Sequence, residues 1–202
     1  MSDGTSVTPV RFVASIDAAG WAQGARAVRS PNADPRPDGV LPTLLVIHNI
    51  SLPPGCFGAR DITSLFTNTL DFDAHPFYRT IRGLRVSSHF LITRDGDLTQ
   101  FVSTLERAWH AGVSCFAGRE RCNDFSIGVE LEGTDDLAFE APQYATLASL
   151  TKSLRARHPI GAVAGHADIA PGRKTDPGPY FDWNAYGEAA ALPGHVLPRR
   201  AS

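Results

Sequence analysis

The 202-residue sequence has no apolar run approaching the roughly 20 residues needed to cross a bilayer, so no membrane-spanning helix is expected. It has little excess of either charge. Nineteen Lys and Arg stand against 21 Asp and Glu, scattered along the chain, which argues against the clustered basic footprint of a nucleic-acid partner. The opening residues, Met1-Ser-Asp-Gly-Thr-Ser-Val7, lack the basic segment and apolar stretch of a secretion signal, and a cytoplasmic location is the expectation. Cysteine is scarce: Cys56, Cys115 and Cys122 are odd in number, sit in no zinc-ribbon or redox spacing, and read as free thiols. A Cys115–Cys122 disulfide or metal pair is the alternative, disfavoured by a reducing compartment and by missing partner ligands. No Gly-x-Ser-x-Gly elbow occurs, so a serine or cysteine hydrolase has no motif behind it. There is no internal repeat or low-complexity tract, and nothing marks an obligate protein partner.

What is present reads as one α/β domain with a mixed central sheet flanked by helices, a size typical of a single domain. Ser30-Pro-Asn-Ala-Asp-Pro-Arg-Pro-Asp-Gly39 is dense in turn residues, so it reads as a loop and the chain before it as a surface arm; residues 1–40 form one unit, 41–191 the body and 192–202 a frayed tail. Thr43-Leu-Leu-Val-Ile-His48 is a continuous apolar run, the pattern of a strand covered on both faces, and it delivers His48 at its C-terminal end, where sites in α/β sheets lie. His89–Thr93 and Leu98–Val102 flank Arg94-Asp-Gly-Asp97 as an antiparallel pair. Ser126–Leu131 alternates, turning Glu130 away from Ile127, Val129 and Leu131 toward solvent or a cleft. Tyr144, Leu147, Leu150, Thr151 and Leu154 recur at helical spacing, predicting a helix over Pro142–Arg157 that stops at His158-Pro159. Ile160–Ala164 then reads as a strand leading to His166, and Phe181–Tyr186 as the start of a short helix.

His48, His166 and Asp176 are the candidate metal ligands. Two imidazoles and a carboxylate can hold Zn²⁺ while leaving a fourth position open, the mark of a catalytic rather than a structural zinc site. The other reading of any one histidine is an ordinary core or surface residue. That reading is kept for His75, His89, His158 and His195; His89 could also support a metal ligand from behind.

Several ordered blocks surround these residues: His48-Asn-Ile-Ser-Leu-Pro-Pro-Gly55, Leu84-Arg-Val-Ser-Ser-His89, Arg107-Ala-Trp-His-Ala-Gly112, Gly118–Gly128, Glu130-Leu-Glu-Gly133 and Gly165–Pro179 with its Lys174-Thr-Asp-Pro-Gly-Pro179 ending. Together, from about Leu44 to about Trp183, they resemble the zinc-dependent N-acetylmuramoyl-L-alanine amidases, in particular the cytoplasmic AmpD-type branch. Relatives of the peptidoglycan-recognition and phage-lysozyme kind commonly use Cys as third ligand, whereas this chain offers Asp176. The resemblance implies an amidase and peptidoglycan-recognition fold with a zinc cleft at strand ends. It also implies that Glu130 is the acid–base residue and Lys174 the oxyanion-stabilising cation. Spacing alone does not separate Glu130 from Glu132, which shares its face; placement in the family block favours Glu130. Asn49, Arg85, Trp109 and Arg121 resemble the substrate-binding wall, with His110 beside Trp109. Arg suits carboxylates because its planar fork pairs bidentately.

By the same resemblance the bond hydrolysed joins the lactyl group of 1,6-anhydro-N-acetylmuramic acid to L-alanine, in recycled muropeptides. Two alternatives use the same residues: an amidase acting on intact peptidoglycan, and a non-catalytic muropeptide-binding module. The hallmark of the second would be a missing ligand.

Overall fold

Leu44, Leu45, Val46 and Ile47 are at most 1% exposed, and a strand apolar on both faces belongs inside a sheet that is covered twice. The computed structural model describes residues 15–198. In chain order the strands are β1 (Arg26–Ala27), β2 (Ala33–Pro35), β3 (Leu44–Ile50), β4 (Phe90–Ile92), β5 (Leu98–Gln100), β6 (Glu106–Ala108), β7 (Cys115–Phe116), β8 (Arg119–Glu120), β9 (Ser126–Glu132) and β10 (Ala162–Gly165). The helices are α1 (Ala59–Phe66), α2 (Pro76–Thr80), α3 (Ala141–Arg157), α4 (His166–Ile169) and α5 (Trp183–Ala189). Six strands pair in the order β1-β5-β4-β9-β3-β10. Only β4 and β5 run antiparallel, turning at Gly96 with φ 81°, and the sheet is mixed as the sequence predicts.

Alternation divides β3 between two cores. Leu45 and Ile47 join Ile127 and Val129 under Leu147, Leu150 and Leu154 of α3 and Tyr186 of α5. Leu44 and Val46 face the other way, against Phe125, Ala164 and Ile169 of α4. Further along that side, Leu91 and Phe101 pack with Ile62, Leu65 and Phe66 of α1 and Tyr78 of α2. Helix α3 buries the expected Leu147, Leu150, Thr151 and Leu154, with Gln143 and Thr146 beside them and Tyr144 half-buried; it starts where the Gln143 side chain accepts from the Glu140 N–H at 3.0 Å, and ends at His158. The three cysteines are free, and Cys122 is buried.

Two expectations are corrected. The chain up to residue 40 is not a surface arm where it is described: Ile16 and Ala22 lie in the main core, β1 extends the sheet beside β5, and β2 pairs with β6 inside the segment read as a loop. Its anchors are polar, which is why no apolar period reveals them. The Gln100 side chain accepts from the Ala22 N–H and donates to the Gly20 carbonyl, and the Arg107 guanidinium grips Asp34 through two bonds of 2.6 Å. The tail is likewise packed as far as it is described, with Val196 buried and Leu192 and Leu197 against the core. The opening residues Met1–Val7 and the last residues, 199–202, lie outside the described residues.

Candidate active site

The sheet register builds the centre. His48 sits directly across from Glu130 in the β3–β9 ladder, and Ile47 across from Gly165 in the β3–β10 ladder. His166, one residue past Gly165, therefore opens α4 beside His48, so both imidazoles leave adjacent parallel strands at their C-terminal ends. Asp176 is brought back by the loop after α4, where its carbonyl accepts from the Ala167 N–H at 2.9 Å.

The three candidate ligand atoms converge. His48 Nδ1 lies 3.0 Å from His166 Nδ1 and 3.0 Å from Asp176 Oδ2, and His166 Nδ1 lies 3.1 Å from the same oxygen. These spacings are near the roughly 3.3 Å that a tetrahedral ion with bonds of about 2.0–2.1 Å imposes on its ligands. The donor set also suits a metal on chemical grounds. His166 Nε2 is 3.1 Å from the Ala111 carbonyl, which can only accept, so the imidazole proton sits on Nε2 and Nδ1 presents a lone pair. That lone pair and the carboxylate of Asp176 are two acceptors face to face, an arrangement relieved by positive charge between them. Two imidazole nitrogens with one carboxylate oxygen match zinc.

Electrostatics follow burial. Burial lowers the His48 pKa to about 4, against the opposing pull of the neighbouring Asp176 carboxylate, so the ring is neutral and able to ligate. Asp176 is pushed up by burial but held below the usual carboxylate range by the adjoining His166 and His48. Glu130 goes the other way: burial, then the nearby Asp176, raise its pKa well above the ordinary value, and Lys174 only partly offsets them. Glu130 Oε1 is 4.0 Å from His48 Nδ1, and its Oε2 is buried without a protein partner.

Glu132 is separated from Glu130 by its bonds. Its carboxylate accepts from the backbone N–H groups of Gly58 and Arg94, tying the start of α1 to the β4–β5 turn. Glu130, in contrast, lines a cleft of about 450 Å³ together with the three converging residues and Asn49, Arg85, Trp109, His110, Arg173 and Lys174. Lys174 and Arg85 are exposed, and Asn49 is held by a 2.7 Å bond from its amide to Asp135. Arg121 is the outlier among the sequence candidates. It lines an adjoining hollow of about 670 Å³ that shares Gly112, Asn123 and Arg173 with the cleft, and its exposed guanidinium pairs with Asp124 at 3.1 Å. His89 keeps the ordinary reading: it is fully buried, with Nδ1 accepting from the Gly128 N–H at 3.0 Å.

Sequence reasoning passed over Arg173 as the charged neighbour of Lys174. Its guanidinium donates to the Ala111 carbonyl at 2.8 Å and to the Val113 carbonyl, fixing the loop that meets His166. Its acceptors are backbone oxygens, for which a sequence carries no signal.

Comparison with known proteins adds an independent line. Residues 38–179 match the family described as N-acetylmuramoyl-L-alanine amidase. The 1,6-anhydro-N-acetylmuramyl-L-alanine amidase AmpD of Escherichia coli K12 is 61% identical over 166 residues, which cover 81% of this chain and 91% of the relative. A crystal structure of a selenomethionine AmpD derivative aligns with a TM-score of 0.83 at 57% identity, covering 85% of this chain and 97% of that one. The E. coli N-acetylmuramyl-L-alanine amidase AmiD, in complex with the substrate anhydro-N-acetylmuramic acid-L-Ala-D-γ-Glu-L-Lys, aligns with a TM-score of 0.56 at 31% identity, over 88% of this chain and 65% of that one. Since the matched residues contain the whole converging set and its cleft, sequence and backbone lead to one conclusion: the chain belongs to the N-acetylmuramoyl-L-alanine amidase family.

Proposed function

We propose that this protein is a zinc-dependent amidase that cleaves the bond between the lactyl group of 1,6-anhydro-N-acetylmuramic acid and L-alanine, serving muropeptide recycling in the cytoplasm. The observation that carries the reading is the convergence of His48 Nδ1, His166 Nδ1 and Asp176 Oδ2 at 3.0–3.1 Å, beside a buried carboxylate with a partnerless oxygen. Zinc held by those three atoms would supply Lewis acidity to the scissile carbonyl and to water. The substrate class is supported by the names of the relatives and by the muropeptide held by AmiD. Among the described residues no helix is long and apolar enough to cross a membrane.

The chain's own residues divide the remaining work. Glu130, its proton affinity raised by burial and by Asp176, takes a proton from the attacking water on Oε2 and passes it to the leaving amine of L-alanine. The ammonium of Lys174 meets the negative charge that develops on the carbonyl oxygen. Trp109 offers an aromatic surface to the sugar, Asn49 and Arg85 bind polar groups of the substrate within the cleft, and Arg121 reaches a peptide carboxylate from the adjoining hollow.

Mass analysis of products from 1,6-anhydromuramoyl-tripeptide, with and without a chelator, tests the reading. The expected products are free tripeptide and anhydro-N-acetylmuramic acid, lost with chelator and restored by zinc. Tight binding with intact substrate recovered would replace the amidase with a binding module.

A further inference from the structure

Behind His48 runs a buried chain of polar groups that ends on a backbone carbonyl. His48 Nε2 lies 2.9 Å from His110 Nδ1, His110 Nε2 lies 3.1 Å from Ser126 Oγ, and Ser126 Oγ lies 2.6 Å from the carbonyl oxygen of Cys122. Exposure is 1% at His48, 8% at His110 and nil at Ser126 and Cys122, so each group depends on the next rather than on solvent.

The far end dictates the proton positions. A carbonyl oxygen can only accept, so the single hydroxyl proton of Ser126 points at Cys122. Ser126 Oγ is then left to accept, and His110 Nε2 must carry a proton. In a neutral imidazole the other nitrogen is a lone pair, so His110 Nδ1 accepts from His48 Nε2–H, and His48 Nδ1 in turn is a bare lone pair turned toward His166 and Asp176. We propose that His110, with Ser126 behind it, is a positioning residue that fixes the tautomer and the ring plane of His48 for metal binding. This rests on the zinc reading above.

The surroundings are shaped to hold His110 in that place. A Cβ at Gly128 would lie 2.5 Å from His110 Cγ, so β9 gives up a side chain to admit the ring. The N–H groups of His110 and Ala111 both donate to Asn123 Oδ1, at 3.1 and 2.8 Å, which locks the backbone. Ala111 is also the residue whose carbonyl takes the Nε2 proton of His166. Two consecutive residues therefore orient both imidazole ligands, His110 through its side chain and Ala111 through its backbone. A partner behind a metal-ligating histidine typically alters metal affinity by 10–100-fold when it is removed.

The test compares parent, His110→Leu, His110→Asn and Ser126→Ala. Zinc affinity is read by chelator competition on the loaded proteins, the ligand field by the visible spectrum of the cobalt-substituted forms, and folding by circular dichroism. His110→Leu should weaken zinc by roughly 10–100-fold and alter the cobalt bands. His110→Asn returns an acceptor near the Nδ1 position and should recover most of that loss, an outcome a purely packing role does not give. Ser126→Ala, a small truncation that leaves the ring in place, should fall between them. Equal zinc affinity in all four proteins, or equal damage from Leu and Asn, overturns the proposal. Ring ¹⁵N–¹H correlation spectra of the parent provide a readout independent of metal affinity: protons on Nε2 of both His48 and His110 are expected, and a proton on Nδ1 of His110 refutes the assignment even if the parent takes up no zinc. Absence of zinc from the parent would count against the zinc reading alone.

Discussion

Glu130 faces His48 directly across the β3–β9 ladder, with its Oε1 4.0 Å from His48 Nδ1. One register pair thus puts the candidate base beside a candidate metal ligand without help from any loop. Glu132, two residues on, pairs with Ile50 and is tied up by backbone donors.

The two carboxylates should separate experimentally. Glu130→Ala is expected to keep its fold and metal while losing roughly 10²–10⁴-fold in kcat, the usual worth of a general acid–base residue. Glu132→Ala leaves two N–H groups unpaired, at about 1–3 kcal/mol each, and should lower Tm with a smaller effect on kcat. Steady-state kinetics and thermal melting of both variants decide the matter; a larger rate loss from Glu132→Ala would reverse the assignment.

Removal of a ligand is expected to remove the metal. His166→Ala leaves one imidazole and one carboxylate, too few for a stable zinc site. Elemental analysis after dialysis should give about one zinc per parent chain and little in the variant, with activity lost in step.

Lys174→Ala should mainly lower kcat, by roughly 10²–10³-fold, as expected for one lost oxyanion partner. A change confined to KM would recast Lys174 as a substrate-binding residue.

Substrate preference tests the cleft wall. The ratio of kcat/KM for the tripeptide on 1,6-anhydro- and on ordinary N-acetylmuramic acid should favour the anhydro sugar, and Trp109→Ala should reduce that ratio. Arg121→Ala, in the adjoining hollow, should raise KM for carboxylate-bearing peptides on either sugar. Equal rates on both sugars would reject the anhydro preference and leave the amidase intact.

Acid should destabilise the protein partly through His158. Burial, then Arg157 and Arg36, lower its pKa from 6.5 to about 4, and its Nε2 lies 2.8 Å from Thr104 Oγ1. The unfolded chain takes up the proton first, so this contribution is complete above pH 6.5 and is lost as pH falls from 6.5 through 4. Urea midpoints measured at pH 7.5 and 5 should therefore drop further for the parent than for His158→Gln. Parallel shifts in the two would show that His158 is not the responsible group.

The parts that could be read from the sequence are those with a repeating apolar signature. β3 was visible because four consecutive apolar residues need cover on both faces, and α3 because Leu147, Leu150 and Leu154 fall on one side at helical spacing. His48 was visible because it follows that apolar run within β3, and His166 because it follows the strand ending at Gly165. Glu130 and Glu132 could not be divided on period alone, since what separates them is which backbone donors reach Glu132 from Gly58 and Arg94. His110 stood beside Trp109 in the sequence as part of a cleft wall; its contact with His48 arises from a separation of 62 residues and leaves no local pattern. The strands before residue 40 were missed for the same reason, being held by Gln100, Arg107 and backbone pairing.

Arg36 carries a consequence for the order of events during folding. Its buried guanidinium donates to the carbonyls of Asn123, Asp124 and Ser126, up to 90 residues further along, and Asn123 in turn holds His110 and Ala111 in place. The segment that carries Arg36 therefore depends on acceptors up to 90 residues away in sequence. Closing so long a loop is entropically costly and slow compared with forming a helix or a hairpin. The wall behind the candidate metal centre should therefore set only after the local helices and the β4–β5 hairpin have formed.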